Sequence, residues 1–471
     1  MRRLSTSAPV VGIVGGGLAG ALVAVHLMRV AQRPLRIVVI DRRGSLGRGV
    51  AYSTTDDAHL LNVPMERLSA FSATPDHFAR WAADALGRPL DPGAYLPRRR
   101  YGDYLQAVVG CAQRAAAHVE LEAVPDEVVD VEASVPGART RLVLRTGAPI
   151  ACDAVVLALG NLPAPPPAWL LDDPRVAPDP WAPGVLDGPP AGRTLLVGTG
   201  LTAVDAAISI AARDDRAEIV ATSGTGQLPC AQLPGRRPAA PPPMLPPGDL
   251  ALEEVVGLVR RHIADATADG YDWRDAIDGL RPAIPELWRR MSVEDRRCFV
   301  REHARAWELH RHRMAPEVAA RIRELRDARR LWLSTGRVVG LRATPRAIEA
   351  QLDGPRARVL TVDRVVVCAG PCTDVTATPD PLVRRLLDRG LARPDALRLG
   401  LCAGSGAELR DADDALHAEL RLLGPPLRGQ LWETTAVGEI RVQAERLAVG
   451  LARRLRLDRA TTDDGRGHVA V

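Results

Sequence analysis

The sequence predicts an α/β fold made of two strand–turn–helix–strand units with a helical insert. Three observations carry that expectation. VVGIVGGGLAGALVA (10–24) runs from an apolar stretch through clustered glycines into a second apolar stretch, and LRIVVI follows at 35–40. LLVGTGLTAVDAA (195–207) repeats the pattern deep in the chain. From 252 to 330 the apolar spacing is helical and rich in Trp and Arg. Short continuous apolar runs bounded by glycine read as buried parallel strands, because a strand covered on both faces needs no polar side.

In chain order, Val10–Val14 is the first strand, Leu18–Gln32 a helix and Leu35–Ile40 the next strand. Residues 72–118 read as mostly helical and 128–144 as a hairpin. Ala154–Ala158 is a further buried strand ending at Gly160-Asn161, before the proline-rich PAPPPAW. The second unit begins with the strand Thr194–Val197, the helix Leu201–Ala212 and the strand Glu218–Thr222. A proline-rich loop covers 233–248. Strands return at 331–341, 347–360 and 363–368, and a last helix runs from about 436 to 455. The expected division is one domain from 1–190 and 362–459, and a second from 191–361 that contains the insert at about 250–330. A polar, disordered tail is expected over 460–471.

Composition removes several classes of function. All 62 basic residues are Arg, so neither a phosphate-loop lysine nor a Schiff-base lysine exists in the chain. The net charge of +5 is mild for 471 residues and forms no single tract, which argues against nucleic acid. The 7 cysteines contain no C-x-x-C, and an odd scattered set points to reduced thiols and a cytoplasmic setting. MRR before an apolar stretch could pass for an export signal, but glycines at the spacing of a phosphate turn interrupt it. No stretch has the length of a membrane span. No metal site is expected.

Gly15, Gly17 and Gly20 complete a G-x-G-x-x-G pattern at the mouth of a helix beginning Leu18-Ala19. The first glycine permits the tight turn, the second lets backbone approach a pyrophosphate, and the third lets helix and strand close together. The helix N-terminus then faces the phosphates. Asp41, at the end of the second strand, is placed to hold a ribose hydroxyl; Arg42 follows it and is counted with it. The second turn offers Gly198, Gly200, Leu201, Thr202 and Ala203, with Ala in the third place, as the pattern allows. Its next strand ends in Ser223-Gly224-Thr225-Gly226, with neither an acid for a 2′-hydroxyl nor an adjacent Arg for a 2′-phosphate. Arg236 and Arg237 lie further on and could fold back. The nicotinamide preference is therefore open. Two Rossmann-like dinucleotide sites on one chain suggest a resident FAD in the first and NAD(P)H delivering a hydride in the second.

At these residues the chain resembles the flavoproteins with two dinucleotide-binding domains, and within them a group similar to flavin-dependent N-hydroxylating monooxygenases. GRGVAYST (47–54), HLLNVP (59–64), ALGNLP (158–163), WELHRHRMAP (307–316) and LRGQLWETTAVGEIRVQA (427–444) carry the likeness. The resemblance implies that Arg48, Asn62 and Val63 pass the flavin ring and ribityl chain. It also places Gly160, Asn161, Trp432, Thr434 and Thr435 among the cofactor contacts. An Asn62 amide could donate to a flavin carbonyl or simply cap a loop. Thr434 and Thr435 precede the last helix, whose dipole would stabilise negative charge on a reduced flavin; a plain helix cap is the other reading. The chain departs from these relatives, which carry Arg in an S-R-x-G segment where Gly224 stands, and Pro where Gly438 stands.

Trp307, His310 and Arg313 are three apart and, on a helix, would share an inward face, with Arg311 and His312 pointing elsewhere. That makes His310 and Arg313 the candidate substrate-binding and catalytic residues together with Asn62; a basic helix face paired with acids is the plainer alternative. One of Arg98, Arg99 and Arg100 could contact FAD or substrate, or lie on the surface. The expected function is an FAD-dependent NAD(P)H oxidoreductase, a monooxygenase acting on an amine or other heteroatom of a small anionic substrate. A flavin dehydrogenase or reductase without oxygen transfer, a non-catalytic FAD-binding protein and a membrane-associated quinone reductase remain open. So does the oligomeric state, a homo-oligomer included. A disulfide reductase fits less well, for want of a redox cysteine pair.

Overall fold

The computed structural model describes residues 8–132, 139–187, 192–235, 237–354 and 357–458. The expected tail at 460–471 and Arg236 lie outside them.

A six-stranded sheet starts from Val10–Val14 at its centre. Leu35–Ile40 and Val119–Val124 pair in parallel on one side, Ala154–Leu157 and Leu416–Leu422 in parallel on the other, and Glu408–Arg410 adds an antiparallel edge. All five residues of Val10–Val14 are buried, as a strand covered on both faces requires. Helix Leu18–Val30 covers one face, and helix Val437–Arg454 packs beside it. Ala444, Leu447 and Leu451 join Ala21, Leu22 and Val25 in one apolar core. The segment expected to be helical, 72–118, resolves into His77–Leu86 and Arg98–Ala115. Gly87, at φ +64° in the left-handed cap position, ends the first of them.

The second sheet has five parallel strands in the order Leu331–Thr335, Glu218–Ser223, Arg193–Val197, Arg364–Val367, Val176–Ala177. It reaches beyond the expected limits of 191 and 361 at both ends. Val176–Ala177 is too short to be visible as a strand, and Arg364–Val367 hydrogen-bonds to Arg193–Val197, not to the first sheet. Two three-stranded antiparallel sheets flank the pair: Val128–Glu132, Thr140–Leu144 and Ile150–Cys152, and Arg337–Ala343, Ile348–Asp353 and Arg358–Val362. The single strand expected over 331–341 is two. The chain leaves the five-stranded sheet at Gly336 and enters the smaller one.

Between Glu218–Ser223 and Leu331–Thr335 lies the helical insert. Its helices are Leu252–Ala268, Trp273–Leu280, Ile284–Arg290, Val293–Glu302 and Ala304–Arg311. They share a separate core centred on Leu280, Leu287 and Trp288, which also takes in Trp432. The next helix, Pro316–Asp327, packs Val318, Ile322 and Leu325 against Val204 and Ala207, so it is the crossover helix of the second unit and not part of the insert. Among the described residues no helix is long and apolar enough to cross a membrane.

Candidate functional site

The two glycine turns are built alike. Gly15 stands at φ +102° and donates its N–H to Ile40 O at 2.8 Å; Gly198 stands at φ +132° and donates to Thr222 O at 2.8 Å. The strand on the far side closes each turn in the same way: Ala158 N donates to Val14 O and Cys368 N to Val197 O, both at 2.9 Å. A Cβ on Gly15 would collide with the Ala158 carbonyl, and one on Gly198 with the Cys368 carbonyl. Only glycine fits either place, on sterics and on backbone angle together.

Beyond that shared frame the turns differ. Asp41 Oδ2 accepts from Gly16 N at 2.8 Å and Oδ1 from Arg43 N at 2.8 Å. The carboxylate is thus fixed at the mouth of the first turn, and each oxygen keeps a lone pair for a ribose hydroxyl. Arg42 is exposed beside it. Gly20 is packed so tightly on Gly15 O that a Cβ there would overlap it, and a Cβ on Gly17 would lie 3.5 Å from Gly49. Leu18 is half-buried and Ala19 buried, at the N-terminus of their helix. In the second turn the place of Asp41 is taken by Ser223, whose hydroxyl pairs with Thr199 Oγ1 at 2.8 Å. Leu201 and Thr202 are half-buried, Ala203 is buried, and a Cβ on Gly200 would meet nothing within 4 Å. Both turns offer what a dinucleotide needs, a backbone cradle at a helix N-terminus.

The flavin-side residues implied by the resemblance fall on several loops. Arg48 donates to Asp103 Oδ1 at 2.5 Å. Asn62 is half-buried, and its amide has no hydrogen-bond partner among the described residues; Val63 packs on the first core. Gly160, at φ +67°, and exposed Asn161 end the strand next to Val10–Val14. Arg98, Arg99 and Arg100 each face a carboxylate: Asp205 at 2.8 Å, Asp57, and Asp103 at 3.7 Å.

Thr434 is wholly buried, donates to Gly424 O at 3.1 Å and accepts from Gln443 Nε2 at 2.8 Å. Neither it nor half-buried Thr435 caps the last helix. The cap position is Ala436, so the plain cap reading fails and the first-turn N–H groups of that helix remain open. Trp432 is held at φ +45° and stacks on Trp288 of the insert at 4.9 Å. It is thus a pillar between the insert and the helix start.

The expected face of Trp307, His310 and Arg313 is not formed. The helix stops at Arg311, so Arg313 follows it at an unrelated angle. Arg313 is 1 % exposed and donates to Asp278 Oδ1 at 2.5 Å, and Arg67 takes the other oxygen at 2.5 Å. Burial pushes the Asp278 carboxyl up, but the two guanidinium groups hold it below the ordinary carboxylate range. His310 is exposed, bonded to Ala306 O at 2.8 Å and edge-on to Trp273. Arg311, read as pointing away, is buried as well. Arg311 is buried 3.3 Å from Glu433, which also accepts from Trp307 Nε1 at 3.0 Å. Burial raises Glu433, but Arg311, His312 and that hydrogen bond outweigh it and hold it below its ordinary range. Among the described residues, an acid adjoining Thr434 pairs with partners from the insert, and this is invisible in either segment alone.

A pocket opens between Pro64–Arg67, Tyr95 and the insert, where Arg67, Arg237, Arg274, Asp275 and Asp278 meet. Arg237 reaches Asp275 at 2.7 Å and does not fold back to the second turn. All 7 cysteines are free, and no group of metal-binding side chains exists among the described residues.

Residues 12–162 match the model of a family described as FAD-NAD(P)-binding. No curated protein matches the chain in sequence. Among solved structures it is similar to the ornithine N-hydroxylase of Kutzneria sp. 744, at 17% identity and TM-score 0.63, over 95% of this chain and 99% of that one. It is also similar to the L-lysine 6-monooxygenase of Pseudomonas syringae, at 18% identity and TM-score 0.57 over 94% and 99%. The cadaverine monooxygenase of Erwinia amylovora matches at 12% and 0.60 over 99% of both chains. The chain has the fold of flavoproteins with two dinucleotide-binding domains, and its N-terminal part carries an FAD-NAD(P)-binding domain.

Proposed function

We propose that the chain is an FAD-dependent, NAD(P)H-consuming monooxygenase that hydroxylates the amine of a small substrate bearing a carboxylate. The observation that carries this is the pair of like-built glycine turns in one chain, the first completed by an acid and the second not. A permanent cofactor and an exchanging one ask for that difference. The similar solved structures are named for N-hydroxylation of ornithine and monooxygenation of lysine or cadaverine, one of them with reduced FAD, NADP+ and L-ornithine.

When bound, the flavin supplies hydride acceptance and oxygen transfer. The protein's own residues do the rest. Gly15, Gly17 and Asp41 hold the adenosine half. Asn62 offers an amide without another partner, and the start of Val437–Arg454 offers open N–H groups for negative charge. Arg67, Arg237 and Arg274 stand with Asp275 and Asp278 around one pocket, and such alternation suits a zwitterionic amine better than a neutral molecule. In this reading the anion-binding role expected of Arg313 passes to these three, because Arg313 is locked behind Asp278.

The test is product analysis. The FAD-loaded protein with NADPH or NADH and O2 is offered ornithine, lysine and cadaverine. A hydroxylamine product from ornithine or lysine supports the reading, and hydroxylation of cadaverine alone overturns the carboxylate in it. NAD(P)H consumption with peroxide but no hydroxylated product from any amine overturns oxygen transfer, and absence of flavin reduction overturns the two-cofactor reading.

A further inference from the structure

Ser223-Gly224-Thr225-Gly226, after the second strand of the second unit, carries no charge of its own. The fold brings one to it. Strand Leu331–Thr335 pairs in parallel with Glu218–Ser223, Ser223 opposite Thr335, and Gly336 N donates to Ser223 O at 2.9 Å. The next residue, Arg337, is therefore delivered beside Gly224. A Cβ on Gly224 would lie 3.3 Å from Arg337 Nε and 3.8 Å from Nη2, so the guanidinium rests on bare backbone. Arg337 is exposed and makes no hydrogen bond or ion pair among the described residues. Asp353, its partner across the small sheet, spends a carboxylate oxygen on Gly354 N at 2.7 Å. A second arginine without a carboxylate partner among the described residues stands at the turn itself. Arg305, from the insert, donates to Thr199 Oγ1 at 3.2 Å and Gln227 O at 3.0 Å.

We propose that Arg337 binds the 2′-phosphate of the nicotinamide cofactor and so makes this site selective for NADPH, with Arg305 beside the pyrophosphate. The inference rests on the reading of the second turn as a nicotinamide dinucleotide site. In a Rossmann unit the end of the second strand decides the matter: an acid there binds the 2′-hydroxyl, and an arginine nearby accommodates the phosphate. Here the acid's place belongs to Ser223, and its hydroxyl is already taken by Thr199 and by Gly226 N at 3.0 Å. The side chain at that place therefore carries no charge to repel a phosphate. The free guanidinium one residue further on offers planar, bidentate donors to it.

The test measures binding without turnover. FAD-loaded protein, with its first site filled, is titrated calorimetrically with adenosine 2′,5′-bisphosphate and with adenosine 5′-monophosphate. The bisphosphate should bind about 10- to 100-fold more tightly, the worth of a charge-assisted contact. Arg337→Ala should remove that gap and leave the monophosphate within about twofold, and Arg337→Lys should recover part of it as a point charge. Flavin content and circular dichroism report folding, which an exposed side chain should not disturb. Equal binding of both nucleotides by the unaltered protein, or an undiminished gap in Arg337→Ala, overturns the assignment to Arg337 and leaves the site standing. Binding of neither nucleotide overturns the site and this inference together.

Discussion

The two glycine turns share a backbone and differ in everything that a ligand would feel. In both, a left-handed glycine abuts the carbonyl that ends the neighbouring strand. Yet Gly16 N–H in one turn donates to the carboxylate of Asp41, where Thr199 in the other meets a hydroxyl from Ser223. The third glycine is compulsory in the first turn and is Ala203 in the second, so the second helix sits far enough from its turn to admit a methyl group. In the proposed reading the shared frame would set where phosphates go, and the side chain at the end of the second strand would set how firmly the adenosine half is held. One fold would thus keep one cofactor and exchange the other.

The largest expected effect breaks that parallel. Gly15→Ala places a side chain at φ +102° against a carbonyl, a backbone cost of roughly 1–3 kcal/mol before the clash is counted. The purified variant should be colourless. Gly198→Ala carries the same strain and should stay yellow but lose bleaching by NADPH. If both lose flavin alike, the turns are not independent.

Next in size, Asp41→Ala should weaken FAD about 10- to 100-fold in a dilution titration followed by flavin fluorescence. Ser223→Ala at the equivalent place should change nucleotide affinity by less than about threefold. A comparable loss in both would mean that the strand ends do not divide the roles.

A third effect concerns the junction that joins the two units. His59 bridges Thr54 at 2.7 Å and Ser209 at 2.8 Å, and Arg98 is paired with Asp205 nearby. Burial holds His59 below its ordinary range, with Arg98 acting the same way and Asp205 opposing. The unfolded chain therefore takes up a proton first as pH falls below about 6.5, and stability should decline from there toward the folded value and be level above it. The slope from one such group is at most about 1.4 kcal/mol per pH unit. His59→Gln should flatten part of it in denaturant titrations between pH 5 and 7; an unchanged slope would assign it to other buried histidines. The smallest effect is that of Ala203→Gly, under about 1 kcal/mol in thermal unfolding, with both cofactors retained. A large loss there would mean that the methyl group is packed as critically as Gly20 is bare.

Regular, local signals were the legible ones. Each first strand and helix of the two units lies within a residue or two of its expected bounds, because buried parallel strands and glycine turns write themselves into contiguous sequence. Asp41 was legible for the same reason. The substrate side was not. Spacing placed Trp307, His310 and Arg313 on one face of a helix that ends at Arg311, and no pattern announces where a short helix stops without a capping glycine or proline. Arg337 escaped notice because it lies more than a hundred residues from Gly224 and reaches it only through strand pairing. The one available hint was that a strand expected to run through Gly336 contains a natural point of departure. The charge of Glu433 is likewise a tertiary property, set by Arg311 and His312 from a distant segment.

The stack of Trp432 on Trp288 has a consequence for anyone who would treat the insert as detachable. Trimming 250–315 to leave a minimal two-lobed scaffold would strip the aromatic support from a residue held at an unfavourable backbone angle. It would also orphan Glu433, one position before the buried Thr434. The loop that starts the final helix would be expected to relax, although no part of it had been cut. The insert and the chain's closing segment thus depend on each other for their shape, and neither can be cut without loosening the other.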